Sequence, residues 1–96
     1  MKSLELDRVI HQPVRTRIMA FLCNVKESDY TSLRDGLDLS DGHMSTHMKE
    51  LVSNEYVEME KSFVDNKPKT TYRVTSKGRK AFTNYVSVLK DIISNA

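Results

Sequence analysis

The spacing of apolar residues changes period twice along the chain. Up to residue 54 apolar positions recur every three or four residues. Between 56 and 75 they alternate, and after 76 the helical spacing returns. Positions 6, 9, 10 and 13 predict a short first helix over residues 4–10, with Leu4 as a further contact. Pro13 stands where a second helix begins, since its missing N–H is harmless at the first helical position. Val14, Ile18, Phe21 and Leu22 carry that helix to about Asn24, and Lys26-Glu27-Ser28-Asp29 reads as a polar loop. Thr31 is the expected cap of a short third helix, with Leu33 and Leu37 one turn apart and Gly36 and Asp38 marking its end.

The stretch from Ser40 to Asn54 is the next helix. Ser40 is a good N-cap, Asp41 places an acid at the positive end of the helix dipole, and Asn54 can close it. Met44, Met48, Leu51 and Val52 form one apolar stripe. The opposite face carries Asp41, His43, Ser45, Thr46, Lys49 and Ser53. These side chains are short and hydrogen-bonding, whereas an ordinary solvated face is dense in Lys and Glu. Such a face suits contact with another polar surface, and the major groove of DNA is one. Two short helices separated by three or four residues make a helix–turn–helix.

From Tyr56 to Val64 the pattern alternates, with Val57, Met59 and Phe63 on one side. Residues 64–69 read as a turn longer than two residues and mobile, because no Asn-Gly or Asp-Gly is present and Pro68 is unsuited to a central strand. Thr70 to Thr75 is a second strand with Tyr72 and Val74 on one face. Thr75 or Ser76 then caps a last helix running to about Ser94, with Gly78 in its first turn. Its apolar surface (Ala81, Phe82, Tyr85, Val88, Leu89, Ile92 and Ile93) is wider than one stripe. One side can pack on its own domain; the other calls for a partner helix, most simply from a second copy.

Composition narrows the classes. Ninety-six residues allow one domain, and 39% hydrophobic with 29% charged residues describes a globular chain. No apolar run is long enough for a membrane span or an export signal, so a cytoplasmic location is expected. The single Cys23 cannot form an internal disulfide and reads as a small buried hydrophobe. The net charge of +2 conceals an asymmetry: residues 1–60 hold 7 Lys and Arg against 11 Asp and Glu, residues 61–96 hold 8 against 2. A basic hairpin beside a polar-faced helix is the footprint of a polyanion partner. No nucleophile–base pair, glycine-rich phosphate loop or metal cluster is legible, so an enzyme is not expected, and neither is a cofactor. His43 and His47 stand at i, i+4, but no third ligand lies nearby and no metal site is assigned.

Three residue patterns carry a family resemblance. His11 to Leu22 resembles the P-x-R-x-x-I-x-x-x-L second helix of ArsR-like and MarR-like bacterial regulators. Leu39 to Leu51, followed by Tyr56-Val57, is similar to their recognition helix, and Tyr72 to Phe82 is similar to the Y-x-L-T-x-x-G-R-x-A-F joint between wing and last helix. The order of elements resembles the winged helix–turn–helix of small single-domain transcriptional regulators. Two departures are visible. Glu55 stands where many relatives have glycine, so Asn54 is expected to make that turn; and Thr31 to Asp35 lacks the paired cysteines of metal-sensing relatives.

The resemblance implies an α+β, mainly helical fold, with a two-to-three-stranded antiparallel wing over 56–75 and a long C-terminal dimerisation helix over 76–94. It implies a homodimer that binds double-stranded DNA and regulates transcription. Asp41, His43, Ser45, Thr46 and Lys49 are the candidates for base edges and nearby phosphates. Lys61, Lys67, Lys69 and Arg73 would hold flanking backbone, and Thr31, Ser32 and Arg34 sit where the first helix of the motif crosses it. His47 is assigned a structural or phosphate-contacting role. Leu4, Leu6, Phe82, Tyr85, Leu89, Ile92 and Ile93 would hold the dimer. A small-molecule effector would lie in a dimer cleft lined by Tyr85 or His11, and none is identified. The alternative is a winged-helix protein-interaction module without DNA contact.

Overall fold

The computed structural model describes residues 4–95. Four helices, α1 (Pro13–Val25), α2 (Tyr30–Gly36), α3 (Asp41–Ser53) and α4 (Ser76–Ser94), surround a three-stranded antiparallel sheet of β1 (Glu27–Asp29), β2 (Val57–Val64) and β3 (Lys67–Val74). The strand order is β1-β3-β2. This is the winged-helix arrangement, mainly helical with a long C-terminal helix.

The caps fall where local chemistry demands them. Pro13 opens α1, and the Gln12 side chain accepts from Arg15 N. The Ser40 hydroxyl accepts from His43 N at 3.1 Å, and Thr75 Oγ1 accepts from Gly78 N at 2.9 Å. Ile10, Ile18, Met19, Leu22, Leu33, Met44, Met48, Leu51, Val57, Tyr72, Val74 and Tyr85 form one core under these helices. Leu51, Val57 and Tyr72 tie α3 and the root of the wing into it.

Five local expectations are corrected. Residues 4–10 form no helix: Asp7 Oδ1 accepts from Val9 N at 2.8 Å and Ile10 N at 3.1 Å, folding a turn that drives Ile10 into the core. The aspartate side chain gives the backbone of this stretch a local partner that competes with a helical turn. Glu27–Asp29 is a strand rather than a loop, because β3 presents an edge to it, pairing Glu27 with Arg73 and Asp29 with Thr71. Asp29, not Thr31, caps α2, accepting from Ser32 N at 2.7 Å. Glu55 itself takes the left-handed conformation (φ 64°), while Asn54 stays at φ −89°.

The wing turn is the fifth. It has two residues, Asp65 and Asn66, both left-handed at φ 52° and 63°, as a type I′ turn requires. Aspartate and asparagine tolerate this conformation, so glycine is not needed. Pro68 lies in β3 opposite Phe63. β3 is the middle strand, but β1 reaches only residues 71–73, so residues 67–70 have a free edge where proline costs no ladder bond.

Candidate nucleic-acid interface

Helix α3 buries Met44, Met48 and Leu51 and leaves Asp41, Gly42, His43, Ser45, Thr46, Lys49 and Glu50 exposed. The face composed of short polar side chains is therefore the outer one. His43 is exposed, whereas His47 is half-buried and its Nδ1 lies 3.0 Å from Arg15 Nη1. A guanidinium only donates, so His47 Nδ1 accepts and the ring proton sits on Nε2. Partial burial, and then the charges of Arg15 and His43, hold the His47 pKa below the usual histidine range. Arg15 also donates to Val9 O. It thus joins the N-terminal turn, α1 and α3, and His47 anchors the helix while His43 faces outward. Among the described residues no three His, Cys, Asp or Glu side chains group as a metal site.

The junction between α2 and α3 is held by a polar cluster. Tyr30 OH donates to Asp41 Oδ1 at 2.5 Å and Arg34 Nη1 donates to the same oxygen at 2.9 Å, with Arg34 Nε on Asp35 at 3.0 Å. The Arg34 guanidinium also lies 5.6 Å from the Tyr30 ring centroid. The bonds from Tyr30 and Arg34 hold the Asp41 carboxyl below the usual carboxylate range. Two candidate DNA contacts, Arg34 and Asp41, are thus partners of each other, which leaves the pair nearly neutral and fixes the first turn of α3 relative to α2. Thr31 and Ser32 are exposed at the start of α2. Tyr30 was not among the sequence candidates, although its i, i+4 spacing from Arg34 is a legible signal.

The wing carries its cations unevenly. Lys61, Lys67 and Lys69 are exposed. Arg73 is enclosed by carboxylates: Nη2 is 2.8 Å from Glu27 and 3.8 Å from Glu60, and Nη1 is 3.7 Å from Glu58. Its guanidinium serves the β1–β3–β2 ladder, and its charge is compensated before any ligand arrives. The sheet face of Val57, Met59, Lys61 and Phe63 with Val74, Tyr72, Thr70 and Pro68 turns toward α3. Met59 and Tyr72 line a cleft of about 260 Å³ with Ser45, Met48, Lys49, Val52 and Ser53. Of the three wing lysines, Lys61 shares this α3-facing side of the sheet, whereas Lys67 and Lys69 stand on the opposite face of the hairpin end.

The dimer candidates lie on another side. Helix α4 half-buries Phe82, Leu89 and Ile92 and leaves Ile93 66% exposed. Leu4 is exposed and Leu6 half-buried. Tyr85 is only 4% exposed and its hydroxyl meets His11 Nδ1 at 2.9 Å, so most of its surface is used inside its own domain.

The family model described as a winged helix DNA-binding domain matches residues 14–93. An uncharacterised protein of Methanocaldococcus jannaschii is 32% identical over 88 residues, covering 92% of this chain and 96% of that one. The solved structure of a transcriptional regulator homologue from Pyrococcus horikoshii superposes with a TM-score of 0.88 at 28% identity, over 93% of this chain and 88% of that one. NadR in complex with 4-hydroxyphenylacetate shares the fold, with a TM-score of 0.74 at 12% identity over 92% and 62% of the two chains. With its family model spanning all four helices and the wing, the chain belongs to the winged helix DNA-binding domain family.

Proposed function

We propose that this protein is a homodimeric, sequence-specific regulator of transcription that acts on double-stranded DNA in the cytoplasm. The observation that carries the reading is the exposed strip of His43, Ser45, Thr46 and Lys49 over a buried methionine stripe, within a family of DNA-binding domains. In this reading α3 enters the major groove and these four side chains meet base edges and adjacent phosphates. Asp41 acts mainly through Arg34 and Tyr30, setting the angle at which α3 enters. Lys61, Lys67 and Lys69 take the flanking backbone, Thr31 and Ser32 the phosphates beside α2, and Arg73 supports the sheet. Phe82, Leu89, Ile92 and Ile93, with Leu4 and Leu6, meet their counterparts in a second copy, which sets two α3 helices about one helical turn apart on a roughly palindromic site. Fold and family point away from an enzyme.

The test is equilibrium binding to genomic fragments over a salt series. Lys67→Ala with Lys69→Ala should weaken binding to all sequences and reduce the log–log salt slope by about 1 for each phosphate no longer neutralised. An unchanged slope removes the wing from the interface. Failure of the wild-type chain to shift any duplex favours the protein-interaction reading.

A further inference from the structure

Phe63 is the residue the fold does not use. At 77% exposure it is the most exposed large apolar side chain among the described residues, one residue from the wing turn. It packs against no core residue, so folding gains little from its ring. Its position is nevertheless held firmly, because the two-residue turn keeps the β2–β3 ladder paired to its last residues, Val64 and Lys67. Pro68 faces it across the ladder, giving a stiff apolar tip with few rotamers to lose on binding.

Two further features identify what the tip fits. Phe63 shares its sheet face with Met59, which lines the cleft beside α3, so it projects on the side where α3 is exposed. Four residues of extended strand place it about 13 Å beyond Met59. That reach is close to the half helical turn, about 17 Å, that separates the centre of a major groove from the next minor groove. Lys61 shares the ring's sheet face, and Lys67 and Lys69 stand on the opposite face of the same hairpin end, so the end of the wing carries three lysines against the one aspartate of its turn, Asp65. An aromatic ring at such a basic wing end matches a partner whose outside is anionic and whose inside is apolar and stacked.

We propose that Phe63 is a wedge: it enters the minor groove adjacent to the major groove occupied by α3, partly unstacks one base step, and bends the duplex toward the major groove. Flexible pyrimidine–purine steps would then be preferred beneath the wing, although no side chain there reads a base edge. The wedge rests on the DNA-binding reading above and adds to it a residue, a groove and a deformation.

The experiment compares wild type, Phe63→Ala and Lys67→Ala/Lys69→Ala on a duplex recovered by wild-type binding from a random library. Affinity is read by fluorescence anisotropy over a salt series, and bending by energy transfer between dyes at the duplex ends. Phe63→Ala should lose about tenfold in affinity per wing engaged and most of the bend, with an unchanged salt slope because no charge is removed. The double lysine variant should show the reverse, a lower slope with bending retained at low salt. Phe63 is exposed, so its removal should leave the melting temperature in place and separate binding from folding. Wild-type affinity and bending in Phe63→Ala would overturn the wedge alone. Recovery of no duplex would overturn the regulator reading and the wedge with it. Binding to vesicles of anionic phospholipid that depends on Phe63, with DNA binding unaffected, would assign the tip to a membrane surface instead.

Discussion

Gly78→Ala should unfold this domain's central joint. Gly78 is the third residue of α4, and a Cβ placed there would lie 2.1 Å from the carbonyl oxygen of Tyr56 and 2.9 Å from its carbonyl carbon and Cα. A carbon normally approaches such an oxygen no closer than about 3.3 Å, so the helix and the strand entry must separate by roughly 1 Å. Tyr56 resists that movement. Its N–H donates to Leu51 O at 3.0 Å, its carbonyl accepts from Thr75 N at 3.0 Å, and its hydroxyl donates to Asp7 Oδ2 at 2.6 Å. Moving α4 outward instead loosens Tyr85 and Val88, both buried. Overpacking against fixed backbone costs about 3 kcal/mol, the strained Thr75–Tyr56 bond adds about 1, and the better helix propensity of alanine returns about 1. The net loss of about 3 kcal/mol corresponds to a fall in melting temperature of roughly 12–24 °C for a domain of this size. Urea and thermal unfolding followed by far-UV circular dichroism measure it. Gly42→Ala is the control, since its new Cβ meets only Ser40 Oγ at 3.9 Å; it should stabilise α3 by about 0.5–1 kcal/mol. If Gly78→Ala melts within about 2 °C of wild type, the steric reasoning is wrong.

Glu55→Gly should stabilise by up to about 1 kcal/mol, because the left-handed conformation at φ 64° strains every L side chain, whereas Glu55→Ala should change little; urea midpoints distinguish them. His47 titrates below the usual histidine range, so the folded state disfavours its protonated ring. The stability this ring contributes is complete above about pH 6.5 and is lost as pH falls through and below that value. His47→Gln should remove that part of the loss, and identical pH dependence of the urea midpoint in both proteins would refute the linkage. Leu89→Asp with Ile92→Asp should shift sedimentation from dimer to monomer and lower DNA affinity; a wild-type chain that sediments as a monomer with the same affinity would end the α4-dimer reading.

The helices were legible because their signals are local. An apolar stripe of Met44, Met48 and Leu51 needs only the 3.6-residue period, and Ser40 or Thr75 needs only an N–H three residues ahead. The candidate site was legible as a face of α3 and a basic hairpin. What the sequence did not reveal was which cations are free. Arg34, Arg73 and the wing lysines look alike in the chain, yet Arg73 meets Glu27 across 46 residues and Arg34 meets Asp41 across a helix–helix turn. Charge counting treated them as equal; pairing divides them into ladder, hinge and solvent-exposed groups.

The same physical distinction runs through the whole protein. By itself the sequence determined the order of the four helices and the hairpin, the starts of α1, α3 and α4, the stripes that face the core, and the winged-helix resemblance. Each rests on hydrogen bonds and side-chain spacing within about one or two turns of chain. Only the tertiary structure decided that polar Glu27–Asp29 becomes a strand and that Phe63 stands clear of the core. It also decided that Gly78 must have no side chain. A strand needs an edge to pair with, an ion pair needs its partner, and a glycine contact needs the backbone it touches. All of these come from residues distant in sequence, so no local pattern encodes them.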